Sequence, residues 1–410
     1  MSKKKTKKKK KNNKKKKNIS LIDKIFDLFD FNYNFNSFEV VIIILISIIF
    51  GIIVGYLITS NRAIELSGNS KLSEFVTVYN KIKKNYYKDV DDDKLIDAAI
   101  KGMVNSLDDD HSIFLNESNS KNYNMTNDGE YIGIGITFKY EEDKCTIIDV
   151  KKDGPADKAG VKVDDILLKI NDVDITKVYE DNFLENLMKK EGTKIKLTIK
   201  RDDKEKNIKM KTSVIEIDSV FSKMLDDKIG YIKIDTFSTK TYKQFRSQLV
   251  NLENDDMKSL IIDVRNNTGG NLQQTRQILS MFLNKGTVLY QVKSGNKKTK
   301  AYSSSFESRN YNVVVLANEY SASASEVLVS CFKEKYKNAI IVGTKTYGKG
   351  TIQKTYSLSD GSNIKYTTNY WLTANGEAVD ELGIKPDFEV EQGEDTSKDD
   401  QLEFAINKLK

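Results

Sequence analysis

Val40–Ile58 is a run of 19 residues without a charge, about 28 Å of helix at 1.5 Å per residue and so close to bilayer thickness. Beyond it the apolar positions recur at three and four residues. Phe75, Val76, Tyr79, Ile82, Leu95, Ile96, Ala99, Ile100, Met103 and Val104 predict helices from Leu72 to about Leu115. Between Gly129 and Ile217 the period drops to two, predicting a β-rich module. It opens at Tyr131–Phe138 and continues in strands Thr146–Val150, Asp165–Ile170 and Lys194–Lys200, with one helical stretch at Tyr179–Lys189. From Ile229 strands and helices alternate. Ile229–Ile234, Leu260–Val264, Val313–Leu316 and Ala339–Val342 read as buried strands, and Tyr242–Asn254, Gln273–Phe282 and Glu326–Phe332 as helices, which is an α/β pattern with crossover connections.

These patterns divide the chain into a basic tail (1–38), a membrane-spanning anchor (39–60), a helical unit (61–125), a β-rich module (126–217), an α/β core (218–392) and a C-terminal tail or helix (393–410). Charge sharpens the first two. The formal charge of +7 falls to −5 without the twelve lysines of Lys3–Lys17, so the basicity belongs to a low-complexity tail that can bury no core and is expected to be disordered. Beside an apolar span, that tail reads as a topological signal rather than a nucleic-acid arm. Thr59-Ser60-Asn61-Arg62 offers no small-x-small cleavage site, so the span is an uncleaved signal anchor. Lysines before it and only Arg62 close behind put the N-terminus in the cytoplasm and the rest outside. Gly51 and Gly55 form a G-x-x-x-G pair through which two spans would pack as a homodimer. Cys145 and Cys331 stand far apart in apolar contexts, as two buried thiols. A lone histidine, His111, excludes any site needing two histidine ligands. No metal or other cofactor is expected.

Candidate chemistry concentrates in Val313–Gln353. A strand and a helix there are joined by Ser321-Ala322-Ser323-Ala324-Ser325, and a serine at such a turn presents its hydroxyl where backbone amides converge. Ser323 and Glu326 also fit the S-x-x-E capping box, a purely structural account, but one that covers a single serine and leaves Gly348-Lys349-Gly350 unexplained. A lysine that takes a serine proton must be neutral, and Lys349 has no acidic neighbour between Ala339 and Lys354. Gln353, four residues on, shares its face on an extended chain and would orient the amine. Gly343–Lys349 also matches the phosphate-loop pattern G-x-x-x-x-G-K. Gly350 stands where that loop needs Ser or Thr, however, and Thr351–Tyr356 is strand-like where a helix must begin. Arg265-Asn266-Asn267-Thr268-Gly269-Gly270 is a glycine turn at the carboxyl end of a strand, the edge at which open α/β sheets bind ligands. His111 would complete a Ser-His-Asp triad, though a histidine at a helix end more often caps or packs.

The β-rich module resembles a PDZ domain in Gly133-Ile134-Gly135-Ile136, Gly154–Val161 and Asp164–Asn171. The resemblance implies that a peptide tail adds as a strand, its carboxylate held by amides of Gly133, Ile134, Gly135 and Ile136. Taken with Ser106–Ser112, Asp263–Gly270, Ser321–Glu326, Gly348–Gln353 and Gly383–Asp387, nearly everything after Leu72 resembles the carboxyl-terminal processing peptidases, or tail-specific proteases. By that resemblance Ser323 is the nucleophile, Lys349 the general base and Gln353 its support. The amides of Gly270 and Ala324 hold the oxyanion, with Gly269 the lesser candidate, and His111 is not catalytic. Thr268 and Asp110 stand where the family commonly has proline. The expected fold is an α/β catalytic core with a β-rich PDZ domain inserted in order, a small N-terminal helical unit and one transmembrane helix. The expected partners are the membrane, protein substrates with exposed C-terminal tails and further copies of the chain in a homodimer or higher oligomer, with no nucleic acid. The alternative is a membrane-anchored PDZ scaffold whose hydrolase-like domain is inert.

Overall fold

The computed structural model describes residues 36–67, 70–141, 144–175, 190–306, 308–393, 395 and 397–410, and the chain forms two compact units divided between Leu95 and Ile96. The lysine-rich tail and the expected helix at Tyr179–Lys189 lie outside the described residues.

Helix α1 (Ser37–Ser67) opens on a reciprocal cap. The Asn36 side chain accepts from the amides of Phe38 and Glu39, and Glu39 accepts from the Asn36 amide at 2.9 Å. Every side chain from Val40 to Ile53 is exposed, and Phe38–Gly55 is long and apolar enough to cross a membrane. Next come α2 (Ser70–Asn85) and α3 (Asp92–Asn105), the latter capped by Asp91, whose carboxylate accepts from the Lys94 amide. The helical pattern was expected to reach Leu115, but it stops earlier. Asp108 takes a left-handed φ of 51°, and Ile113–Leu115 is a strand, β1, paired with Asn363–Lys365 far along the chain. A three-residue apolar run gains more from a sheet edge than from a helix end.

Helix α4 (Glu117–Asp128) leads into β2 (Glu130–Gly133) and β3 (Ile136–Glu141). The expected opening strand Tyr131–Phe138 is thus two strands, broken at Ile134-Gly135. With β4 (Lys144–Val150), the one-turn α5 (Pro155–Lys158), β5 (Ile166–Ile170), β6 (Val173–Asp174), β7 (Lys194–Arg201) and β8 (Lys204–Lys211), β3 builds a sheet ordered β3-β4-β5-β7-β8 around Ile134, Ile147, Leu167, Leu197 and Ile199. β9 (Ser213–Glu216) returns antiparallel to β2, so the chain enters and leaves this module side by side.

The core sheet runs β10 (Val220–Met224), β11 (Ile229–Ile234), β12 (Ser259–Asp263), β15 (Val313–Ala317), β16 (Ala339–Gly343), β19 (Phe388–Glu389); all its pairings but β10–β11 are parallel. β12 and β15 are buried throughout, which is why they read as unbroken apolar runs. Helices α6 (Thr241–Asn254), α7 (Leu272–Ser280) and α8 (Ala324–Lys335) enclose the large core cluster, while Ala405, Leu402 and Phe404 of α9 (Asp400–Leu409) pack a second cluster on Ile261, Val314 and Val342. A further sheet holds β1, β13 (Val288–Ser294), β14 (Lys297–Tyr302), β17 (Thr351–Ser357) and β18 (Asn363–Leu372).

Candidate active site

Two turns meet at the carboxyl edge of the core sheet. After β15 the chain turns through Asn318–Ser323 into α8; after β12 it turns through Arg265–Asn271 into α7. Serines join them. Ser321 donates to the Val264 carbonyl at 2.8 Å and Ser325 donates to the Asn267 carbonyl at 2.8 Å, both side chains fully buried. Those hydroxyls are spent on structure, which separates them from Ser323 as the sequence alone could not.

Ser323 stands at φ 54°, ψ −112°, a conformation that costs a non-glycine residue about 1–3 kcal/mol and persists only where its surroundings enforce it. The enforcement comes from Glu326. Its carboxylate accepts from the Ser323 amide (2.8 Å), the Thr346 hydroxyl (2.7 Å), the Gly348 amide (2.7 Å) and the Lys349 amide (2.8 Å). The capping contact expected of Glu326 is therefore made, and the same carboxylate fixes the loop carrying Lys349. Burial pushes the Glu326 pKa up, against the four hydrogen bonds that favour its ionised form.

Lys349 follows β16 in an irregular loop and precedes the strand β17, so the helix that a phosphate loop requires is absent there. Backbone closes in on both flanks. A Cβ at Gly348 would lie 2.9 Å from the Gly383 nitrogen, and one at Gly350 2.6 Å from the Asp380 nitrogen. Trp371 Nε1 donates to the Lys349 carbonyl at 2.7 Å. The Lys349 amine itself makes no hydrogen bond or ion pair among the described residues, and burial, followed by the charge of Lys365, lowers its pKa; Asp109 and Glu326 oppose the shift. Gln353 donates from Nε2 to the hydroxyls of Thr351 and Thr367, each at 3.0 Å. Its oxygen is thereby left as an acceptor end, but no Gln353–Lys349 hydrogen bond is present.

The glycine turn is equally specific. The Gly269 amide donates to Asn267 Oδ1 at 2.9 Å, whereas the amides of Gly270 and Ala324 make no hydrogen bond among the described residues. A Cβ on Gly269 would fall 2.9 Å from both Ala324 N and Ser323 Cβ, and one on Gly270 2.3 Å from the Phe237 carbonyl oxygen. Ser323, Lys349, Gln353, Gly269 and Gly270 all line one cavity of about 530 Å³, with Ala324 beginning the helix at its edge. Tyr123, Asn127, Lys365 and Trp371 line it too, and sequence reasoning did not find them, because they come from α4 and β18, far from the motif. His111 does not line the cavity. It nonetheless lies close enough that the Lys349 charge, after burial, helps to lower its pKa.

In the β-rich module, Ile134 is buried and its carbonyl accepts from Ala156, while the Gly135 carbonyl accepts from Lys151. The Ile134 and Gly135 amides have no partner among the described residues, and Gly133 and Ile136 end and begin the flanking strands. Both cysteines are buried and free, and burial pushes the Cys145 thiol up to about 11.

Residues 228–390 match the model of peptidase family S41, residues 133–212 the PDZ domain, and residues 57–119 the N-terminal domain of the activating protease CtpB. A probable CtpA-like serine protease of Staphylococcus aureus (strain COL) is 33% identical over 361 residues, covering 87% of this chain and 71% of that one. The carboxy-terminal processing protease CtpA of Bacillus subtilis (strain 168) is 34% identical over 327 residues, 79% and 70% of the two chains. A solved photosystem II D1 C-terminal processing protease aligns over 77% of this chain and 92% of its own at 22% identity and a TM-score of 0.44. The chain belongs to peptidase family S41, among the CtpA-like carboxy-terminal processing proteases. It is a serine-type peptidase that carries a PDZ domain.

Proposed function

We propose that the chain is a membrane-anchored endopeptidase that cleaves substrate proteins near their C-termini with a Ser323–Lys349 dyad. One observation carries this reading: a serine held in a strained turn shares a cavity with an unpaired, half-buried lysine and stands beside two unpaired backbone amides. Neutral Lys349 Nζ takes the proton from Ser323 Oγ, which attacks the peptide carbonyl. The oxyanion accepts from the amides of Gly270 and Ala324. Lys349 returns the proton to the departing amine as the C–N bond breaks and an acyl ester remains. Water, deprotonated by Lys349, then attacks the ester carbonyl, the bond from that carbon to Ser323 Oγ breaks, and Lys349 returns the proton to Oγ as the acid departs. The Gln353 oxygen serves as acceptor for the amine between these transfers.

The substrate tail is read upstream, by the unpaired amides around Gly133–Ile136, in support of which stands the free state of Ile134 and Gly135. Helix α1 anchors the enzyme, lysine-rich tail inward and catalytic part outward, and open space around Gly51 and Gly55 suits close packing of two such helices. Ser323→Ala and Lys349→Ala, made in the full chain in detergent, are each expected to lower hydrolysis of an unstructured, apolar-tailed peptide by about a thousandfold or more. Full activity in either variant, or loss of all activity on His111→Ala alone, sinks the dyad.

A further inference from the structure

The residues lining the active-site cavity include no carboxylate and two amines, those of Lys349 and Lys365. A base must be neutral, which leaves Lys365 as the standing charge. Lys365 lies half-buried on β18 with its Nζ 5.3 Å from the centre of the Tyr123 ring. Its Nζ makes no hydrogen bond or ion pair among the described residues. Of the two acids whose charges reach Lys349, Asp109 is already engaged by the His111 amide at 3.0 Å and the Ser112 hydroxyl at 2.5 Å, and Glu326 by its four donors. A half-buried ammonium facing a cavity with no counter-ion favours an anionic occupant.

Register places Lys365 relative to Gln353. Gln353 pairs with Thr367 and Thr355 with Lys365, so Lys365 is two residues from Thr367 on the same face of β18. Two residues of strand span about 7 Å, as do two residues of an extended substrate. We propose that Lys365 selects peptides bearing a carboxylate one or two residues from the bond cleaved, supplied by an Asp or Glu side chain or by the chain end itself. This rests on Ser323 and Lys349 as the reacting pair, and it names a substrate feature for their cavity.

The test uses the full chain in detergent and two pairs of peptides: Glu against Gln one or two residues from the cleavage point, and a free C-terminal acid against its amide. The ratio of kcat/KM within each pair is read in the wild type, Lys365→Met and Lys365→Arg, each checked for an unchanged melting temperature. In at least one pair the wild type should favour the carboxylate about tenfold, Lys365→Arg should keep the preference, and Lys365→Met should bring it near unity. The pair that responds identifies the source of the carboxylate. No preference in either pair for the wild type, or no pair whose preference falls in Lys365→Met, overturns the proposal. Ser323→Ala is run alongside: hydrolysis surviving in it displaces the nucleophile without altering the charge ratio, so the two failures are distinct.

Discussion

Glu326→Gln is the sharpest perturbation of this site. The carboxylate receives four donors, at 2.8 Å from Ser323 N, 2.7 Å from Thr346 Oγ1, 2.7 Å from Gly348 N and 2.8 Å from Lys349 N. A glutamine keeps one acceptor oxygen and turns an NH₂ group towards two of those donors. Two charge-assisted bonds are lost at about 2 kcal/mol each, and part is regained because the neutral amide is cheaper to bury than the ion, leaving about 2–4 kcal/mol. For a protein of this size that lowers Tm by roughly 2–5 °C. Hydrogen bonds at Oε2, to Ser323 and Lys349, are what register the nucleophile against the base, and a misplacement of about 1 Å costs roughly a hundredfold in rate. The expected result is a kcat reduced about a hundredfold with KM little changed, read from steady-state peptide hydrolysis beside a calorimetric melt. A kcat within about threefold of wild type, whatever happens to Tm, refutes the claim that Glu326 positions the pair.

Gly270→Ala places a methyl 2.3 Å from the Phe237 carbonyl oxygen at a φ of 133°, so the free amide moves and kcat is expected to fall about a hundredfold or more; unchanged kcat would remove Gly270 from the oxyanion site. Ser321→Ala and Ser325→Ala should each retain hydrolysis and lose about 1 kcal/mol of stability in denaturant titration, whereas abolished turnover in a folded variant would reopen the choice of nucleophile. The active base is the neutral amine, and burial and the Lys365 charge both lower the Lys349 pKa. The kcat/KM for a neutral peptide should therefore rise with pH along a limb lying below the ordinary lysine value of 10.5. Removing the cation in Lys365→Met should move that limb to higher pH, and a limb that stays or moves down contradicts the assignment.

The apolar patterns of Val313–Ala317 and Ser259–Asp263 made the buried strands legible, because a strand covered on both faces must be apolar at every position. The same local logic failed at Ile113–Leu115, whose partner strand lies about 250 residues later and leaves no mark on the segment itself. The spacing Ser323, Glu326, Lys349, Gln353 was present in the chain, and composition already excluded metal chemistry dependent on paired histidines. Hydrogen bonding in the folded chain decided which groups are unengaged. It occupies the Ser321 and Ser325 hydroxyls through partners 57 and 58 residues away, while the Gly269 amide is taken locally by Asn267, and among the described residues it leaves the Gly270 and Ala324 amides and the Lys349 amine unpaired beside Ser323. It also converts Glu326 from a helix cap into the link between two loops, and brings Lys365 in from another sheet. Periodicity and short motifs record what each segment demands of its neighbours in sequence. Hydrogen bonds across 20 or 50 residues, and the burial that shifts a lysine's proton affinity, arise only when the folded chain closes on itself.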